Sequence, residues 1–296
     1  ARAALPKVAH ELAHALSDLG RHQDAEQVFK DHVVRCPRDA KTLICYARHL
    51  EGQGRERDAK PLYAAAFAIL GEQLASTPDD AFIQMLYATA EFRVGNPDDA
   101  LARLRRIVES SPSEITVIER LGECLNRQGR AQETIEILTK AVNANPSIAT
   151  LHSTLGMAHV QMGQYAQAVE HFQEGLKSHP NMISLHGNLA AAYASLGQYP
   201  KAEAALRETL RLAPGNWRAW RNLCQVLASM NRPDDAIATA QEMVKAIPNH
   251  PESHATLGRA MSAADRLKEA DSAYRESLAL RPEDPSTLFG LAVVLE

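Results

Sequence analysis

The sequence predicts an all-α fold of stacked antiparallel helix pairs, and three observations carry that reading. Pro78, Pro112, Pro146, Pro180, Pro214, Pro248 and Pro282 stand 34 residues apart without exception, and self-similarity at such a period marks a repeat architecture. Between the prolines, apolar and small residues return at the same places of every period. Midway through each period comes a glycine, asparagine or aspartate, the residues that tolerate a sharp turn.

Setting the proline as the thirty-second place gives repeats at 6–39, 40–80, 81–114, 115–148, 149–182, 183–216, 217–250 and 251–284, with a partial one at 285–296. The whole chain, 1–296, then reads as one solenoid. In each repeat, helix A carries an apolar seventh place (Leu12, Leu121, Leu155 and their equivalents) and a small eighth place such as Ala13, Gly122 or Gly156. Helix A should end at the fifteenth place (Gly20, Gly54, Gly95, Gly129, Gly163, Gly197, Asn231, Asp265), where a left-handed residue closes it. Helix B follows, with alanine at the twentieth place in all complete repeats but one, where it is Thr134. Its bulky twenty-fourth place (Phe29, Tyr63, Phe172, Tyr274) fills the seam that the small residues open. Proline then stops helix B, because it can neither donate to nor fit a helix interior.

The second repeat breaks the period, since Pro37 and Pro78 are 41 apart and Gly71 takes the proline place. Seven extra residues are about two helical turns and keep the same face inward. Gly71 to Thr77 is therefore expected to lengthen helix B, with Pro61 leaving a kink or a later start open; a looped insertion is the alternative, disfavoured because Leu74 continues the apolar spacing of Phe67 and Leu70.

The segment "LHSTLGMAHVQMGQYAQAVEHFQEGLKSHP", Leu151 to Pro180, resembles the tetratricopeptide repeat at almost every signature place, and the resemblance covers nearly the whole chain. It implies a right-handed superhelix, an α-solenoid whose A helices line a concave groove, and a protein or peptide partner held in that groove.

Composition bounds the function classes. The formal charge is -4 and the basic residues are scattered, so the footprint of a nucleic-acid binder is missing. The longest apolar run, Tyr63 to Leu70, is too short to cross a membrane, and membrane insertion is not expected. Cys36, Cys45, Cys124 and Cys224 lack metal or disulfide spacing and read as reduced structural thiols. A cytoplasmic location is expected, or a periplasmic one if a signal has been removed.

"HELAH", His10 to His14, spells a zinc-peptidase motif. A catalytic zinc needs a third protein ligand, and the extended motif would require glycine at Ser17 and histidine at Gly20. Leu12 and Ala13 are already explained as packing places. No metal, cofactor or catalytic residue is expected, and the protein reads as a non-enzyme. His152, His186 and His254 recur at a fourth place taken to be semi-exposed and tolerant.

The groove is read at the second, fifth, sixth, ninth, twelfth and thirteenth places of helix A. The third repeat puts Phe82, Met85, Leu86 and Phe92 there, and Phe82, Met85 and Phe92 form a candidate apolar anchor for a partner side chain unless the lengthened second repeat covers them. Further on, Thr154, Ser184, Asn188, Arg218, Arg221, Asn222, Gln225 and Arg259 form the candidate peptide-binding set. Amide side chains both donate and accept, which suits a peptide main chain of any sequence.

Asn188 and Asn222 share the sixth place, which resembles the asparagine ladder of the O-linked N-acetylglucosamine transferase solenoid, although the other sixth places depart from it. The Lys/Asn clamp of chaperone-tail binders is not matched. Trp220 is expected in the core and Trp217 as an exposed stacking group. The leading reading is a protein-binding scaffold. Alternatives are the substrate-recruiting arm of a glycosyltransferase or sulfotransferase whose catalytic domain lies beyond Glu296, and an export or assembly scaffold at a membrane.

Overall fold

The computed structural model describes residues 11–17 and 19–295, and these are helical with short turns. After the helical residues 11–17 come His22–Arg35, then the pairs Ala40–Gly52 with Glu56–Ser76, Ala81–Val94 with Pro97–Ser110, and Ile115–Arg127 with Ala131–Ala144. Ala149–Gln161 pairs with Tyr165–Ser178, Ile183–Ser195 with Tyr199–Leu212, Trp217–Ser229 with Pro233–Ala246 and Pro251–Ala263 with Leu267–Leu280, before Pro285–Leu295. The chain falls into two compact blocks, Ala1–Ser178 and His179–Glu296. Within each block, helix A packs on its own helix B, and helix B packs on the helix A that follows.

The turns explain the period. Positive φ occurs at Gly20, Gly54, Gly95, Gly129, Gly163, Gly197, Asn231 and Asp265, the fifteenth place of each complete repeat. An L-residue with a larger side chain would be strained there, which is why only glycine, asparagine and aspartate occupy it.

The seam is equally regular. Ala25, Ala59, Ala100, Thr134, Ala168, Ala202, Ala236 and Ala270, all at the twentieth place, are at most 2% exposed. The small eighth place faces the large twenty-fourth place of its own repeat. A Cβ at Gly156 would sit 2.4 Å from the Phe172 ring, one at Gly258 2.7 Å from Tyr274 and one at Gly122 2.9 Å from Leu138. The close approach of the two helices leaves no room for a methyl group there.

The seventh place packs on the preceding repeat. Tyr46 stacks on Phe29 with ring centroids 5.5 Å apart, and Tyr87 lies 4.6 Å from Phe67. This corrects the reading of Leu12, which is 48% exposed while Ala13 is buried. No helix among the described residues precedes Leu12 to cover it. His10 lies outside the described residues.

The fourth place has a role that composition did not reveal. His152, His186 and His254 set Nε2 at 3.0, 2.7 and 2.8 Å from the carbonyl oxygens of Pro146, Pro180 and Pro248. A carbonyl only accepts, so each ring nitrogen donates. Trp220 Nε1 donates to Pro214 at 2.8 Å, and Gln84 donates to Pro78. In these five repeats the side chain at this place satisfies the carbonyl of the proline that ended the previous repeat. Trp220 is half-buried and tied to that carbonyl.

One helix runs from Glu56 to Ser76, through Pro61. Its last turns put Gly71 against Tyr87, with the site of a Cβ 3.6 Å from the ring.

Candidate functional site

In the second block, a cavity of about 340 Å³ opens between Ile183–Ser195, Tyr199–Leu212 and Trp217–Ser229. Alanines and serines form one wall (Ala191, Ala194, Ser195), Asn222, Gln225 and Ser229 the other, and Leu206 and Tyr199 lie at its base. The cavity exists because the ninth, twelfth and thirteenth places of the sixth repeat are small. The same places are Glu123, Asn126 and Arg127 in the fourth repeat and Met157, Val160 and Gln161 in the fifth. Its volume is in the range of sites that take a ligand side chain. Among the described residues, the amides of Asn188, Asn222 and Gln225 have no hydrogen-bond partner, so they are open to an incoming main chain.

The candidate set does not gather in one place. Asn222 and Gln225 line the cavity, while Asn188 is half-buried and outside its lining. Ser184 is exposed. Thr154 belongs to the first block, where its hydroxyl donates to the Thr150 carbonyl at 3.1 Å and its own carbonyl accepts from Asn126 at 2.9 Å.

The arginines are engaged with groups that the sequence reading did not weigh. Arg259 Nη2 lies 2.5 Å from Glu252 and donates to Thr256 at 2.9 Å, and Arg221 stands 3.8 Å from the same carboxylate. Glu252, with its side chain 13% exposed, offsets part of the positive charge of these two arginines. Arg218 and Arg221 lie over the Trp217 ring at 4.7 and 5.2 Å, and His250 stacks on it at 5.3 Å. Trp217 is therefore a packed hub and not the free stacking surface expected of it.

The apolar anchor needs correction at one residue. Met85 is 6% exposed and packs in a core with Leu101, Leu104, Val117 and Leu121, because its helix turns that side toward its own helix B and the next helix A. Phe92 is partly buried against the same core, and Phe82 is 53% exposed. The lengthened helix Glu56–Ser76 thus leaves Phe82 open.

Burial pushes the Cys124 thiol up to about 11 and the Cys224 thiol to about 12, which keeps both protonated and unreactive near neutral pH. Among the described residues, no three His, Cys, Asp or Glu side chains gather as metal ligands. No described helix is long and apolar enough to cross a membrane.

The fold and its turns define a solenoid of helix pairs. The family profile described as the cilia and flagella-associated protein 70 C-terminal domain matches residues 72–296, and a tetratricopeptide repeat profile matches residues 6–30. The chain belongs to the tetratricopeptide repeat family. No curated protein is significantly similar in sequence.

Among solved structures, a tetratricopeptide repeat protein from Parabacteroides merdae is similar at TM-score 0.58 and 14% identity, covering 87% of this chain and 99% of that one. The anaphase-promoting complex hetero-tetramer Cut9-Hcn1 is similar at TM-score 0.60 and 17% identity, covering 96% of this chain and 54% of that one. The C-terminal part of a repeat protein from Cytophaga hutchinsonii is similar at TM-score 0.56 and 17% identity, covering 84% and 99%. At these identities the likeness is one of fold.

Proposed function

We propose that the chain is a protein-binding scaffold without chemistry of its own, and that the cavity of the second block seats an extended segment of a partner. The observation that carries this is the pairing of a small-residue cavity with the unpartnered amides of Asn222 and Gln225 on its rim. A partner side chain enters the cavity, and the two amides hold the main chain on either side of it. Arg221 and Arg259, tied to Glu252, order the adjoining helices and do not supply the grip. Cut9 stands in a hetero-tetramer with Hcn1, which supports protein assembly as a use of this fold.

Panning random-sequence peptides on the full chain tests the reading. Selected peptides should lose about tenfold or more in affinity to Ala191→Trp, which fills the cavity from an exposed position. Peptides that bind this variant as well as the parent chain would place the site elsewhere, with Phe82 as the next position to test.

A further inference from the structure

A second feature lies in the first block, apart from the cavity above. Arg48 from Ala40–Gly52, Arg93 from Ala81–Val94, and Arg120 and Arg127 from Ile115–Arg127 border one small hollow. Two carboxylates answer these guanidiniums. Glu51 holds Arg93 at 2.6 Å and Arg127 at 3.4 Å, and it also accepts from the Tyr63 hydroxyl at 3.1 Å. Glu123 holds Arg120 at 2.5 Å and Arg48 at 3.5 Å. Glu119, beside Arg120 in the sequence, accepts from Thr150, and burial with the nearby Glu123 raises its acid above the usual range. Even with Glu119 counted as charged, the group stays net positive.

The pairing is incomplete at one atom. Arg120 Nε is buried and has no hydrogen-bond partner among the described residues. A buried donor left unpaired is costly, and a guanidinium edge presents parallel N–H groups that match an oxyanion. The enclosed space is about 10 Å³, room for a single water-sized atom. One oxygen of an anion fits there, and a whole metabolite does not. Arg48 and Arg127 are 41% and 50% exposed at the side chain, so they stand at the open side of the hollow.

We propose that this hollow is an oxyanion site that receives a carboxylate or phosphate carried on an extended segment of a protein partner, with Arg120, Arg127 and Arg48 as its donors. A nucleic acid would need a stripe of positive potential, and this chain has a formal charge of -4 with its basic residues scattered along the sequence. The proposal shares with the scaffold reading only the premise that the partner is a protein, and it invokes none of the second block's residues.

The test titrates the isotope-labelled full chain with inorganic phosphate, a glutamate-rich peptide and the same peptide carrying phosphoserine, following the arginine Nε–H signals. The Arg120 signal should move and saturate. Arg127→Gln and Arg48→Gln, at half-exposed positions with unchanged melting as the control, should each weaken binding by about tenfold. Glu123→Gln should tighten it severalfold, because an internal competitor for Arg120 is gone. The peptide that binds more tightly decides between carboxylate and phosphate. No saturable shift with any of the three probes, or shifts indifferent to both Arg127→Gln and Glu123→Gln, would overturn the site. Tighter binding of single-stranded DNA than of either peptide would overturn its assignment to a protein segment. Because cavity variants such as Ala191→Trp leave this block untouched, failure here is distinguishable from failure of the peptide cavity.

Discussion

Gly156 shows how much one missing methyl group does. With Phe172 only 2.4 Å from where its Cβ would be, Gly156→Ala forces the ring or the helix to move. The expected cost is about 1 to 3 kcal/mol, read as a fall in melting temperature with hydrogen-exchange protection lost mainly in the fifth repeat and its neighbours. Unchanged protection there would contradict the packing described. Two histidines set a pH response. Burial, helped by neighbouring histidines, holds His49 and His171 down to about 4 from an ordinary 6.5. The unfolded chain thus binds more protons between those values, so stability should fall as pH drops through that window. Melting temperature measured from neutral to acidic pH should decline, and His171→Gln should flatten the decline. The small eighth places and the turn residues were readable from sequence, because each has a steric reason that recurs at a fixed spacing. The burial of Met85 was not, since the fifth place faces a groove or a core depending on which neighbours pack beside it.

Among the elements, helix ends carry the information that periodicity leaves out. Asp80 caps Ala81–Val94 by accepting from the Phe82 and Ile83 amides at 2.9 and 3.0 Å. Asp80→Ala should cost about 1 kcal/mol, measured by chemical denaturation. A loss within error would mean that Asp80 contributes no net capping energy. The ring at the fourth place is a second such device. Trp220→Phe keeps most of the apolar surface but leaves the Pro214 carbonyl without its donor, so it should destabilise the seventh repeat by about 0.5 to 1.5 kcal/mol. The recurrence of His152, His186 and His254 was visible in the sequence, yet its cause was not. A six-residue reach back to a proline carbonyl becomes apparent only once the turn is folded. The extended second repeat was legible, because Leu74 continues the apolar spacing of Phe67 and Leu70 and the helix runs on to Ser76.

For the molecule as a whole, the repeat architecture follows from the 34-residue ruler and from the small, apolar and turn residues that recur with it, whereas the site depends on what the repeats leave empty. Reading for polar groove residues found Asn222 and Gln225 but passed over Ala191, Ala194 and Ser195, whose small size makes the cavity. It also placed Arg221 and Arg259 in the peptide-binding set, although both face Glu252, which lies on the same helix as Arg259 and on the helix A that follows that of Arg221. The central claim is that the cavity of the second block grips a peptide segment. The most direct test compares the affinity of wild-type-selected peptides for the parent chain, for Ala191→Trp, and for the double variant Asn222→Ala with Gln225→Ala. The account predicts weakening by about tenfold or more in both variants, with melting temperature almost unmoved because the substituted side chains lie outside the core. Equal affinity for all three proteins would contradict it.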